Sequence, residues 1–241
     1  RGREVLEFIE KDLGEEGMKR SVLVVATSDQ PAMLRMKCPL VATTIAEYFK
    51  DLGYDVLLMM DSLTRYAMAQ REIGLAIGEP PIARGYTPSI YAEFPKLLER
   101  SGNFGKGSIT GVYTVLVEGD DTNEPISDTV RGILDGHIVL SRQLANENHF
   151  PAIDIGASIS RLMVEVVPQE HQKTASRLRN ILGLYQKNAD LISIGAYKKG
   201  TNPALDEAVA KIDKINTFLQ QGIRERFTYE QTLQCIKEIT G

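Results

Sequence analysis

Residues 55–65 read Asp55-Val56-Leu57-Leu58-Met59-Met60-Asp61-Ser62-Leu63-Thr64-Arg65. Val56 to Met60 is an unbroken apolar run, the pattern of a strand buried on both faces, as parallel sheets use. Asp61 ends the run. Ser62 is a candidate helix N-cap, and a helical pattern follows to about residue 78.

Working outward, strands and helices alternate. Upstream, residues 22–26 read as another fully buried strand, ending in Thr27-Ser28-Asp29. Residues 31–52 are helical, with Val41, Ile45, Tyr48, Phe49 and Leu52 on one face; Pro39 is expected in the first turns or at a kink. Residues 2–11 also read as helix, with Val5, Phe8 and Ile9 at helical spacing. Because the chain opens on Arg1 inside that helix, it is expected to be a piece of something longer. Downstream, Glu79-Pro80-Pro81 is a breaker and residues 84–88 are a loop. A short helix over 91–100 precedes a Gly-rich turn over 101–107. Residues 108–117 read as a β-branched-rich strand, and 119–125 as a polar acidic loop. A helix over 126–134, a short strand over 137–140 and residues 152–155 end the alternation. Beyond about Val167 the segments 169–188, 204–221 and 229–239 all read as helices. The pattern predicts an α/β domain with a mostly parallel sheet over 1–166 and a helical domain over 167–241.

Composition narrows the function classes. The chain has 241 residues, with 28 Lys+Arg against 32 Asp+Glu, a formal charge of −4. That balance argues against a bulk nucleic-acid binder. Gly 20 and Pro 10 without a period exclude a collagen-like or disordered chain. No apolar run is long enough to span a membrane as a helix. Cys38 and Cys235 make no disulfide framework and read as reduced thiols of a cytosolic chain.

Open parallel sheets bind ligands at the carboxyl ends of their strands. Two expected strand ends carry acids, Asp29 and Asp61. An apolar strand ending in Asp is the Walker B pattern, whose carboxylate holds Mg²⁺ through water. The alternative is an Asp that merely caps the next helix. The phosphate cradle Gly-x-x-x-x-Gly-Lys-Ser/Thr is not found. Residues 102–108 imitate it, but their glycines are too close together and a strand follows. His137, His149 and His171 lack metal-ligand spacing. No Gly-x-Ser-x-Gly elbow is present, aromatics do not interleave with basic residues, and Lys198-Lys199 reads as solvated.

The 55–65 stretch continues into Ala67-Met68-Ala69-Gln70-Arg71-Glu72-Ile73-Gly74, Gly78-Glu79-Pro80-Pro81 and Arg84-Gly85-Tyr86-Thr87-Pro88-Ser89. Gly107-Ser108-Ile109-Thr110, Val117-Glu118-Gly119-Asp120-Asp121, Pro151-Ala152-Ile153-Asp154 and Ser158-Ile159-Ser160-Arg161 follow in that order. This order resembles the rotary ATP-synthase-like family of hexameric RecA-type ATPases. The wording of residues 69–74 and 78–81 is similar to the ATPases of type III protein export, the flagellar branch above all.

The resemblance implies a RecA-like sheet, incomplete at its N-terminus, and then helices. Asp61 would be the Walker B acid on Mg²⁺. Arg65, four residues on, would share a helix face with Asp61 and face the phosphates or a neighbouring subunit. Arg1 would stand beside the catalytic Glu, one residue upstream, with the P-loop and an N-terminal barrel further upstream. Residues 1–241 by themselves are therefore expected to be inactive. Arg161 matches an arginine finger given across the subunit interface to the γ-phosphate. Phe150 matches an adenine-stacking aromatic, and Phe218 is either a second one or a core residue. Asp120, Asp121, Asn123 and Glu124 match a loop facing a central stalk, and residues 198–206 a second stalk-contacting corner.

The implied function is Mg²⁺-ATP hydrolysis by a homohexamer that releases and unfolds export substrates and their chaperones. The implied place is the cytoplasm, peripheral to an inner-membrane export gate, with no nucleic-acid partner. The alternative is a non-catalytic ring or stalk- and chaperone-binding module of the same family.

Overall fold

A computed structural model describes residues 1–241 except Glu118, Asp120, Thr122 and Asn123. The chain forms two compact units, Arg1–Leu134 and Asp135–Gly241.

The first unit opens with α1 (Gly2–Glu7), which widens into π-helical turns over Phe8–Leu13 and continues as α2 (Gly14–Met18). Residues 22–26 correct an expectation. They join no strand among the described residues, and Val22 and Val25 are exposed. A β-branched run favours extended backbone, but a strand exists only through a ladder partner, and none is on hand. α3 (Ala32–Asp51) follows. Pro39 lies about two turns in and is buried. The Thr43 hydroxyl donates to its carbonyl at 2.8 Å.

β1 (Asp55–Met60) pairs in parallel with β3 (Ser108–Tyr113), from Asp55 opposite Ser108 to Met60 opposite Tyr113. β2 (Gly102–Asn103) adds an antiparallel edge to β3. The long pairing is thus parallel, as expected, within a sheet that is mixed. β1 is not buried on both faces. Leu58 packs with Ala46 of α3 and with Ile109, whereas Leu57 and Met59 are each 62% exposed. The two-residue period sends them to the face that the described elements leave uncovered.

α4 (Leu63–Ala76), α5 (Pro88–Leu98) and α6 (Pro125–Ile133) supply most of the core. Leu63, Tyr66, Ile90, Phe94 and Ile126 are essentially inaccessible. Each such side chain contributes about 1.5–3 kcal/mol of hydrophobic stabilisation.

In the second unit, β4 (Gly136–Leu140) and β5 (Ile153–Ser160) pair antiparallel, joined through α7 (Arg142–Asn146). α8 (Met163–Val166), α9 (Gln169–Lys187), α10 (Ala189–Ser193), α11 (Pro203–Leu219) and α12 (Tyr229–Thr240) follow. Leu178, Ile181 and Leu182 of α9 meet Ala208, Ile212 and Ile215 of α11, with α12 closing the cluster. Both sets sit at helical spacing. α12 starts with a capping box between Thr228 and Gln231.

Candidate active site

Asp61 stands at the carboxyl end of β1, exposed, before α4 begins. Ser62 is extended, at φ −143° and ψ 159°, and its hydroxyl accepts the Arg65 N–H at 3.3 Å. The cap is therefore Ser62, as read from the sequence. It also corrects one inference: Asp61 lies outside the helix, so Arg65 shares no helix face with it. The Asp61–Ser62 peptide bond is cis.

Two neighbouring strand ends hold this corner. Thr114 N–H donates to Met60 O at 3.0 Å, and Leu63 N–H donates to Thr114 O at 3.0 Å. The Thr114 hydroxyl donates to Asp61 Oδ1 at 2.9 Å. Leu116 N–H donates to Thr64 Oγ1 at 2.8 Å. These bonds explain why β3 stops at Tyr113 rather than running to 117, since residues 114–116 turn their bonding to the start of α4. Neither Thr64 nor Thr114 was singled out by sequence, because both bonds cross more than fifty residues.

One exposed carboxylate with spare lone pairs suits Mg²⁺, which keeps several waters and is completed by substrate phosphates. Among the described residues there is no group of three His, Cys, Asp or Glu that would cage a metal. Arg65 is exposed in the first turn of α4. Arg1 is exposed and pairs with Glu4 at 3.4 Å. No described contact joins Arg1 to Asp61.

In the second unit, Arg161 follows β5 directly, exposed, and its N–H donates to Asp135 O at 2.7 Å. Phe150 is 51% exposed. Its carbonyl accepts Gln221 N–H at 2.9 Å, so the chain leaving α11 is tied to it. Gln220 Nε2 and His149 Nδ1 lie 3.4 Å apart beside that tie. The structure thus brings the end of α11, which carries Phe218, to Phe150. Phe218 is half-buried against the helical core. Sequence gave no signal for Gln221, which acts through its backbone.

Of the acidic loop, Asp120 and Asn123 lie outside the described residues. Asp121 pairs with Arg84. Glu124 corrects an expectation: it is 5% exposed and accepts Ser127 N–H at 3.0 Å, capping α6. Turned inward by that cap, it offers no surface to a partner. Lys198 and Lys199 are exposed, as read, while the 198–206 segment is held by hydrogen bonds. Asp206 accepts the Tyr197 hydroxyl and, at 2.9 Å, the Gly200 N–H, while Asn202 caps α11.

A mixed α/β sheet with an acid at a parallel strand's carboxyl end, followed by helices, agrees with the RecA-like nucleotide-binding class to which the chain's relatives point. The chain belongs to the ATP synthase alpha/beta family, whose nucleotide-binding domain matches residues 1–160. Residues 167–238 match the C-terminal domain of the type III secretion ATPase EscN. The flagellum-specific ATP synthase of Bacillus subtilis is 57% identical over 241 residues, 100% of this chain and 55% of the relative. The type 3 secretion system ATPase of Xanthomonas euvesicatoria is 53% identical over 240 residues, 100% of this chain and 54% of the relative. The assembled ATPase EscN of enteropathogenic E. coli superposes with a TM-score of 0.96 at 50% identity, covering 100% of this chain and 58% of that one. EscN in complex with its central stalk EscO gives 0.90 at 49% identity, covering 100% and 57%. The chain spans about half the length of the curated relatives it matches.

Proposed function

We propose that the protein containing this chain hydrolyses ATP to drive protein export through a flagellar type III secretion apparatus, as a homohexamer. The observation that carries the reading is Asp61, held by Thr114 at the end of a parallel strand pair in a chain of this family. In this reading the ATPase domain runs to residue 166 and the helical domain covers 167–241.

Asp61 would hold Mg²⁺, which supplies charge neutralisation on the transferred phosphoryl group when bound. Arg161 would bring a fixed positive charge to the γ-phosphate of a neighbouring subunit, where negative charge grows in the transition state. Arg65 would face the phosphates or the neighbour, and Arg1 would flank the residue that orients the attacking water. Phe150 offers an exposed ring for the adenine to stack on, and Phe218 a second, more buried one. Asp121 and the 198–206 loop would meet a central stalk-like protein. The same ring would receive export chaperones and substrates in the cytoplasm, peripheral to the inner-membrane export gate. The assembled and stalk-bound EscN structures support the ring and the stalk.

The test is Arg161→Ala in the full-length protein, with turnover and nucleotide binding measured side by side. Turnover falls by roughly 10³-fold or more, with binding nearly intact. Unchanged turnover sinks the finger assignment. A wild-type full-length protein that binds nucleotide but turns none over would instead be a non-catalytic ring module.

A further inference from the structure

We infer that Thr114 is a positioning residue that orients the Asp61 carboxylate for its cation, an inference that rests on Asp61 being the active-site acid. The Thr114 side chain has one proton to donate and two acceptors in reach. Asp61 Oδ1 lies at 2.9 Å and Met60 O at 3.4 Å. The shorter contact is to the charged oxygen, and a charge-assisted bond is roughly twice as strong as a neutral one. It takes the proton. Met60 O already accepts the Thr114 N–H at 3.0 Å.

This bond fixes a torsion that is otherwise loose. The carboxylate of an exposed Asp turns about a broad sp³–sp² torsion. The anchor itself is stiff: Thr114 is β-branched, and its N–H and C=O are both bound to the Asp61 corner, by Met60 O and Leu63 N–H. The hydroxyl pins Oδ1 and leaves Oδ2 and the remaining lone pair of Oδ1 for a hydrated cation. Outer partners of this kind commonly change metal affinity or activity by about 10–100-fold when removed.

Stitching and positioning separate cleanly here. The backbone bonds do the stitching and survive any side chain, so Thr114→Val keeps the shape and the stitching and deletes only the hydroxyl. Thr114→Ser keeps the donor. The experiment uses the full-length protein with a non-hydrolysable ATP analogue, and reads Mn²⁺ affinity by EPR. The Mg²⁺ concentration for half-maximal turnover is read in parallel. Thr114→Val weakens Mn²⁺ binding by roughly 10-fold or more and shifts the Mg²⁺ curve to higher concentration, with KM for ATP at saturating Mg²⁺ little moved. Thr114→Ser restores both. Thr114→Ala carries the same test if the valine variant does not fold. Wild-type Mn²⁺ affinity and an unmoved Mg²⁺ curve in the hydroxyl-deleted variant overturn the inference. Asp61→Asn separates the two levels. If it loses Mn²⁺ affinity while Thr114→Val does not, the positioning role alone fails. If Asp61→Asn changes neither Mn²⁺ affinity nor turnover, the reading of the site fails with it.

Discussion

The buried Thr64 hydroxyl bridges the start of α4 to the chain leaving β3: its oxygen accepts the Leu116 N–H at 2.8 Å and lies 3.4 Å from the Leu116 carbonyl. A side chain thus continues the attachment where the β1–β3 ladder ends. Thr64→Val strips the Leu116 N–H of this partner at nearly constant volume. The expected loss is about 1–2 kcal/mol of stability, read as a lower denaturant midpoint with an unchanged slope. Thr64→Ser retains most of it. A valine variant as stable as wild type would mean that water replaces the bridge without cost.

Arg100 closes on Glu47 with two bonds of 2.7 Å and adds Thr44 at 2.8 Å. The Arg100 hydrogen bond outweighs burial and holds the Glu47 carboxyl below its ordinary 4.5. A folded-state value below the unfolded one gives stability that is full above pH 4.5 and is lost as pH falls from there through the folded value. Arg100→Met should flatten that part of the acid-unfolding curve. At neutral pH it costs about 1 kcal/mol, discounted because the pair is partly solvated. Superimposable acid limbs for the two proteins would contradict the pairing.

Gly74 is required by close packing. A Cβ there would lie 2.5 Å from Thr87 Oγ1 and 3.0 Å from its Cβ and Cγ2, and Thr87 is fully buried. Gly74→Ala destabilises by about 1–3 kcal/mol through overpacking. Combining it with Thr87→Ala relieves the clash, so the double variant loses less than the sum. Gly107 differs. Its Cβ would meet the carbonyls of Tyr54 and Lys50 at 2.5 and 2.6 Å. Side-chain trimming cannot relieve Gly107→Ala, and it should be the more damaging of the two by thermal melting.

Ile215 sits at the centre of the α9–α11–α12 cluster with no exposed surface. Ile215→Ala costs about 2–5 kcal/mol, whereas Lys198→Ala, on an exposed loop, stays within about 0.5 kcal/mol. Equal effects of the two in urea unfolding would argue against this core.

What the sequence made legible was local. The run Val56 to Met60 as a strand, Asp61 at its end and the Ser62 cap all depend on neighbours in the chain, and the structure has all three, though the strand is buried on one face only. The long helices stand as helices, but Val41, Tyr48, Phe49 and Leu52, read as the apolar face of α3, are exposed, and α3 buries Ala32, Pro39, Thr43 and Ala46 instead. What failed depends on the rest of the molecule. Residues 22–26 have strand composition, but a ladder partner is a property of another segment. Leu57 and Met59 look like core, and only the third dimension tells which face of β1 is covered. Glu124 reads as a surface acid within an acidic loop, yet a free N–H three residues on draws it inward. Thr114 was invisible because its role comes from a parallel register set 53 residues away from Asp61.

The most direct test is the rate of phosphate release from Mg²⁺-ATP by the full-length protein, wild type against Asp61→Asn, at matched nucleotide occupancy. The wild type turns over ATP, and the Asn variant, equal in size but without the charge, falls to background while remaining folded. Wild-type turnover in the Asn variant would remove Asp61 from the active site and with it the proposed mechanism.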